Sequence, residues 1–176
     1  MLKKTTGFEL IELMIIVSII VIFSGLIIPN VIVKIQHNKT LGTIRKINAV
    51  ANACIAYIKE NGEAPAAGIQ CGSLVPGNIF IKALKEKHLT TCSINDRWGN
   101  PLIVYSGSAV SSFHGFTKGK VRKVDFIIIS YGRDRIDEGF NYDPANPKAG
   151  WFKVSSMSDF ENDLINWNGT WIRRPR

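Results

Sequence analysis

The sequence predicts an α+β protein, with one long N-terminal helix packed on a small antiparallel β-sheet domain. Two observations predict the helix: an apolar run from Leu10 to Ile28, and a helical period that returns beyond Pro29. A third is the set of short segments rich in β-branched and aromatic residues in the second half of the chain, which are typical of strands. Short strands after a long helix favour a sheet laid across that helix.

The long helix is expected from about Glu9 to Glu60. Pro29 lacks a backbone donor, so it is expected to kink the helix or loosen it locally. Asn61-Gly62 is a good stop signal. Beyond Pro29 the apolar residues recur at steps of three and four, and most lysines and arginines fall outside the resulting stripe. The stripe comprises Ile44, Ile47, Ala51, Cys54 and Ile58.

Shorter elements are expected after a loop over residues 64–77. A second helix is predicted over Ile79–Lys87, with Phe80, Ala83 and Leu84 facing inward. One strand should contain the run Phe126–Ile129, buried on both faces. The predicted strands are Leu102–Tyr105, Val124–Ser130 and Trp151–Val154.

The composition limits the function classes. The chain has 176 residues and a net charge of +8, which suits one compact domain plus a membrane segment. Its lysines and arginines are scattered and not interleaved with aromatic residues, so nucleic acid is not favoured as a partner. His37, His88 and His114 stand alone, and no nucleophile motif or phosphate-binding loop occurs. We therefore expect no enzyme activity.

The three cysteines are too few for a disulfide scaffold and too far apart for a zinc site. Cys54 lies on the apolar stripe and is expected to be a buried thiol. Cys71 and Cys92 lie in loop-like segments on either side of the predicted second helix. If the domain is exported, these two cysteines form the natural disulfide.

The N-terminus differs from an ordinary signal peptide. Lys3 and Lys4 supply a basic region, but the apolar run is too long and no small-residue cleavage site follows it. The only suitable break is at Gly7, before the apolar run. A cut there removes residues 1–7 and leaves the hydrophobic helix on the mature protein, with the two lysines on the cytoplasmic side.

Two carboxylates, Glu9 and Glu12, lie at the front edge of this membrane-length run. Charged side chains inside a bilayer are costly and usually functional. After the cut, Phe8 is the new N-terminus, and Glu12 follows it by about one helical turn. The Glu12 carboxylate and the terminal ammonium of the same or the next chain can neutralise each other. They would then set the axial register between neighbouring helices.

The segment KKTTGFELIELMIIVSII resembles the class III signal of type IV pilins and type II secretion pseudopilins. Gly7, Phe8 and Glu12 match its pattern position by position, and Pro29 lies where these proteins commonly have a kink. The resemblance implies a pilin-like fold, cleavage after Gly7 by a prepilin peptidase, and N-methylation of Phe8. Glu9 departs from the pattern, which usually has threonine there.

Three later segments, DRWGNPLIVYSG, DFIIISYGRD and NDLINW, are similar to the globular domain of the major pseudopilin of type II secretion. Trp98 and Trp167 are expected to pack in the core, and Gly99 and Gly132 to serve turns. The matched residues are Asp96, Trp98, Gly99 and Pro101, then Ser130, Gly132 and Asp134, and finally Asp163 and Trp167.

In that family the loop after the second segment binds calcium, which implies Asp134 and Asp163 as side-chain ligands here. Residues 134–163 hold seven of the fourteen acidic residues and only three basic ones. Such a composition suits a hard, oxygen-seeking cation. The alternative is an acidic, solvated loop that balances nearby basic residues. The chain departs from the family at Arg135, where glycine is usual, and in its longer loop.

The resemblance implies three parts: a leader over residues 1–7, an apolar transmembrane and assembly helix over residues 8–33, and a periplasmic domain over residues 34–176. It implies a structural subunit of a periplasmic pseudopilus, anchored in the inner membrane by one span. Its partners would be further copies of itself, the prepilin peptidase, other pseudopilins and the inner-membrane assembly platform.

Alternatives remain open. A type IV pilin of a surface pilus, serving adhesion, motility or DNA uptake, has the same N-terminus. However, pilins often close a C-terminal loop with a disulfide, and the last cysteine here is Cys92. A minor, tip-located pseudopilin also fits. A membrane-anchored periplasmic enzyme or sensor that never assembles would leave Gly7 and Glu12 unexplained.

Overall fold

The fold is α+β, with one long N-terminal helix and a mixed β-sheet among the described residues. The chain divides into two compact units, one that ends at Gln36 and one that spans His37–Arg176. The division falls inside the long helix. The computed structural model describes residues 10–67, 72–75, 77–85, 88–89, 94–114, 116 and 121–176.

Helix α1 spans Leu10–Asn61 and has 52 residues. It continues through Pro29 and ends at the predicted stop. Gly62 has a φ of 75°, and its N–H donates to the Ile58 carbonyl at 2.8 Å. Glycine is preferred in this left-handed conformation at helix C-termini, because it has no side chain to clash. The predicted C-terminus of the helix is therefore confirmed to within one residue.

The second half of α1 packs on the sheet through the predicted stripe. Ile47, Ala51 and Cys54 are buried, and Ile44 and Ile58 pack against the same cluster. Cys54 is therefore a core residue, as predicted.

Helix α2 spans Ile79–Lys85 and buries Phe80, Ile81 and Leu84. Ala83, which was predicted to face inward, is half-buried. Two 3₁₀ helices are also described, Gly107–Ser112 and Ser158–Phe160. The strands are β1 Gly72–Ser73, β2 Ile103–Ser106, β3 Phe126–Ser130, β4 Gly150–Phe152, β5 Leu164–Trp167 and β6 Thr170–Pro175.

The strands form one sheet in the order β1-β2-β3-β5-β6-β4. The prediction of an antiparallel sheet is wrong at one edge, because β4 pairs with β6 in parallel. The cause is the hairpin between β5 and β6, whose turn residues Asn168 and Gly169 have φ values of 50° and 84°. That hairpin reverses the chain and leaves β6 running in the same direction as the edge strand β4.

Two clusters of buried apolar residues form the core. One joins α1 and α2 to the sheet through Ile47, Phe80 and Ile128, among others. The other contains Ile127, and Trp167 packs against it as predicted. All five residues of β3 are buried, which confirms that strand as two-sided. Trp98 was wrongly predicted as a core residue, because it is half-buried in a turn and belongs to neither cluster.

Candidate functional site

The first half of α1 exposes its described large apolar side chains to solvent. From Leu10 to Ile35, the large apolar side chains described as exposed range from 40% to 78% accessible. The helix is long and apolar enough to cross a membrane, and none of its most apolar window is buried. Apolar surface of this extent is costly in water. Lipid or another protein must therefore cover it.

Glu12 lies in the first described turn of α1, and its side chain is exposed. A carboxylate is favoured at this end of a helix, where backbone N–H groups point outward. Further along, the Ser18 hydroxyl donates to the Met14 carbonyl at 2.7 Å. That polar group is satisfied within its own helix, as a lipid environment requires. Glu12 is thus a charged side chain in a largely apolar segment, and the polar Ser18 bonds within its own helix.

Four predicted residues lie outside the described part of the chain: Gly7, Phe8, Cys71 and Cys92. Cleavage after Gly7, methylation of Phe8 and the Cys71–Cys92 disulfide stay predictions.

Two of the sequence motifs meet at a buried junction. The Asp96 carboxylate, 3% exposed, accepts hydrogen bonds from the N–H groups of Trp98 and Asn100, each at 2.8 Å. It also accepts one from the Ser130 hydroxyl at 2.9 Å. The Asn100 amide in turn donates to the Gly132 carbonyl at 2.8 Å. These bonds satisfy buried donors of both segments and fix the end of β3 against the 96–100 turn.

The second half of α1 is bonded to the same junction. The Thr43 hydroxyl oxygen, fully buried, accepts the Arg97 N–H at 3.0 Å. The Lys46 ammonium donates to the Asn95 carbonyl at 2.8 Å. Gly42 leaves room for the turn, because a Cβ there would lie 2.8 Å from the Arg97 side chain. The helix and the turn therefore hold each other in place.

Asp163 lies at the inner end of the acidic loop, directly before β5, and is 1% exposed. Its Oδ2 accepts the Glu138 N–H at 3.1 Å, and its own N–H donates to Glu138 Oε2 at 3.0 Å. Its Oδ1 has no hydrogen-bond partner among the described residues. Burial raises the pKa of Asp163 to about 7. The Glu138 N–H and Arg173 oppose the rise, and the Glu138 carboxylate adds to it.

The outer part of the loop orders its own backbone. Asp134 is exposed, and its Oδ1 accepts the Ile136 N–H at 3.1 Å. Asp137 Oδ1 likewise accepts the Gly139 N–H at 2.8 Å. Arg135, at the position where the family has glycine, has a φ of 68°, which favours glycine. These acids serve turns, a role for which aspartate is well suited.

A cation of the chain itself lies at the inner end of the loop. The Arg173 guanidinium pairs with Glu138 Oε2 and donates to Asn162 Oδ1 at 2.6 Å. It lies 5.1 Å from the ring centre of Phe140 and 5.8 Å from that of Phe152. Both the carboxylate and the aromatic faces favour a guanidinium. The side chain is only 15% exposed.

The arrangement does not fit a calcium ion held by Asp134 and Asp163. Calcium takes roughly six to eight oxygen ligands. In the part of the chain that the structure describes, no group of three or more His, Cys, Asp or Glu side chains is placed to hold a metal ion. Asp163 offers one buried oxygen, but Asp134 is committed to its own turn, and Arg173 would repel a second cation. Calcium binding stays an untested prediction.

None of the four ion pairs found among the described residues was predicted from the sequence. Two of them concern Glu138 of the acidic loop and a histidine predicted to stand alone. One is Arg173 with Glu138. The other is His88, whose Nε2 lies 3.5 Å from Glu60 and whose ring packs edge-on against Tyr57. Both pairings join residues that are remote in sequence, where spacing carries no signal.

Comparisons with family models, curated proteins and solved structures find no match to this chain. The resemblance to pilins and pseudopilins, with everything it implies, therefore stays a prediction from the motifs.

Proposed function

We propose that this protein is a structural subunit of a periplasmic pseudopilus that serves protein export by type II secretion. The observation that carries the proposal is the first half of α1. It is helical throughout and long enough to span a membrane, and its described large apolar side chains from Leu10 to Ile35 are exposed. Its first described turn holds Glu12. A plain anchor needs the apolar length but not the acid, which is costly in lipid.

Assembly gives both features a purpose. The unassembled subunit is held in the inner membrane by this one span, with residues 34–176 in the periplasm. A prepilin peptidase removes residues 1–7 and methylates Phe8. In the filament, neighbouring copies cover each other's apolar helices. Glu12 of one copy meets the Phe8 amine of another, so that one axial register leaves no charge unpaired.

The filament would transmit force. Other pseudopilins and the inner-membrane assembly platform complete the structure, and a separate ATPase drives its growth. The bonds from Thr43 and Lys46 to the 95–97 segment fasten the second half of α1 to the domain. A displacement of that part of the helix would therefore carry the domain with it.

A deletion strain tests the proposal. Loss of the protein should abolish secretion of folded substrates and leave surface pili intact. Overproduction in a strain with the secretion system should give filaments visible by electron microscopy. Intact secretion after deletion would contradict the proposal.

A type IV pilin of a surface pilus is the second candidate. Its N-terminus would be the same, and the net charge of +8 would suit contact with DNA during uptake, although the scattered lysines and arginines form no basic, aromatic-interleaved patch. In that case the deletion strain would lose surface pili, and secretion would be unaffected.

The mass of the mature N-terminus separates both filament proteins from a membrane-anchored enzyme or sensor. Protein purified from membranes should lack residues 1–7 and carry one methyl group on Phe8. Retention of Met1 to Gly7 would contradict the proposal and favour the unassembled, anchored alternative.

A further inference from the structure

The inner end of the acidic loop contains a small set of charged and polar groups, made by Glu138, Asn162, Asp163 and Arg173. Glu138 and Asp163 exchange two hydrogen bonds, each from one residue's N–H to the other's carboxylate, at 3.1 and 3.0 Å. This exchange brings two carboxylates together where the loop enters β5. The Glu138 carboxylate opposes ionisation of Asp163, since like charges repel each other. When both groups are ionised, the set therefore needs a counter-cation.

Arg173 is held where its guanidinium can supply this positive charge. On β6 its backbone lies opposite Ile165 of β5 and Gly150 of β4, so strands flank it on both sides. Its guanidinium lies near the rings of Phe140 and Phe152. A planar guanidinium can bond a carboxylate and pack on aromatic faces at once, which a point charge such as lysine does less well.

Its hydrogen bonds reach both ends of the loop. Glu138 lies near the start of the loop, and Asn162 lies near its end. Glu138 Oε2 accepts both the Arg173 guanidinium and the Asp163 N–H. That oxygen is therefore already committed and has little capacity left for a metal ion.

We propose that the Arg173 guanidinium is the resident counter-cation of this loop and takes the place of the divalent cation that the loop's composition predicts. The loop then folds without metal. This assignment concerns the fold of residues 134–173 and does not depend on the proposed function.

Thermal melts of the full chain in detergent micelles test the proposal, in calcium chloride and in EGTA, at pH 8, above the pKa of Asp163. The key variant is Arg173→Met, which keeps an unbranched apolar stem and removes the charge. The matched control is Arg174→Met. Arg174 is the next residue on β6, and its guanidinium lies 4.5 Å from the ring centre of Trp151. It takes no part in the ion pairs found among the described residues.

Wild type should melt at the same temperature in calcium and in EGTA. Arg173→Met should melt several degrees lower than Arg174→Met in EGTA. Calcium should restore part of the loss in Arg173→Met alone, because the oxygens of Glu138, Asn162 and Asp163 then lack their cation. A rescue by calcium is a response that lost packing would not give.

Three results would overturn the proposal. The first is a wild-type melting temperature that is higher in calcium than in EGTA. The others are an Arg173→Met melting temperature equal to that of Arg174→Met in EGTA, and an Arg173→Met melting temperature that calcium does not raise. If Arg173→Met fails to fold, equilibrium dialysis of the wild type against calcium decides the question. No binding at millimolar calcium supports the guanidinium as counter-cation, and one bound ion per chain overturns it.

Discussion

The two halves of α1 differ both in apolar content and in surroundings, because 19 of the 26 residues from Leu10 to Ile35 are apolar and only 12 of the 26 from Gln36 to Asn61. From Leu10 to Ile35 the apolar side chains lie on all sides of the helix, and those described as exposed are 40% to 78% accessible. In the second half they keep to one stripe, on which Ile47 and Cys54 are 0% exposed. A helix that is apolar all round needs lipid or a large assembly, whereas a striped helix packs on its own domain. The number of apolar residues and their distribution around the helix therefore decide together what each half packs against.

The largest expected effect comes from the buried stripe. Ile47→Ala should lower the free energy of unfolding by about 2–5 kcal/mol, because it leaves a cavity in a close-packed core. Urea unfolding of the full chain in detergent micelles, followed by tryptophan fluorescence, measures the loss. Leu41→Ala is the control on the same helix, since Leu41 is 39% exposed. Equal losses in the two variants would contradict the distinction between stripe and surface.

A change of pH should alter the stability of the domain that packs on the second half of α1. Burial raises the pKa of Asp163 to about 7 from its ordinary value of 3.8. The folded protein then holds this proton more tightly than the unfolded chain. The resulting stability is fully present below about pH 4 and is lost as the pH rises through about 7.

The melting temperature of the domain should therefore fall by several degrees from about pH 5 to about pH 8. Asp163→Asn keeps an oxygen for the Glu138 N–H and should flatten this part of the profile. An equally steep fall in Asp163→Asn would assign the pH dependence to another group.

The hydroxyl groups of Thr43 and Ser18 allow a matched comparison, in which a smaller loss of stability is expected. Thr43 and Ser18 each donate to the carbonyl one turn earlier, at 3.0 and 2.7 Å. Thr43 also accepts the Arg97 N–H. Thr43→Val should cost about 1 kcal/mol, because it leaves that donor without its acceptor. In the same urea unfolding, Ser18→Ala should leave the domain unchanged. A similar loss from Ser18→Ala would show that the two halves of the helix are not distinct.

The smallest expected effect on the domain comes from the exposed half. Ile20 is 58% exposed, so Ile20→Ala should change the free energy of unfolding of the domain by less than about 0.5 kcal/mol. It should still weaken assembly, because it removes apolar surface that neighbouring copies would cover in the proposed filament. Urea unfolding measures the first quantity, and the yield of filaments measures the second. A loss as large as that of Ile47→Ala would mean that Ile20 is buried against its own domain.

Local signals predicted much of the fold. The C-terminus of α1 follows from Asn61-Gly62, and β3 follows from its run of isoleucines. The sheet edge was missed because β4 and β6 pair through residues far apart in the chain, such as Trp151 and Arg174. The Asn168-Gly169 pair was a usable hairpin signal, since it supplies the positive φ angles of a two-residue turn.

In the candidate site too, some residues could be predicted from local sequence signals and others could not. Asp163 was predicted from its motif as a calcium ligand, which stays a prediction, and its burial at the inner end of the loop was not predicted. The role of Arg173 could not be predicted from its neighbours in the sequence, because its partner Glu138 lies 35 positions away. Only the pairing of the strands brings the two together. Glu12 is a converse case, since a single acid in an apolar run is visible from the sequence alone.

Electron microscopy of Glu12→Ala tests whether this acid sets the register between subunits of the proposed filament. Ser18→Ala is the matched control, because that hydroxyl is satisfied within its own helix. Glu12→Ala should insert in the membrane, lose residues 1–7 and melt as the wild type does, yet form no filaments. Ser18→Ala should form them normally. Normal filaments from Glu12→Ala would contradict the role of the acid in setting the register between subunits.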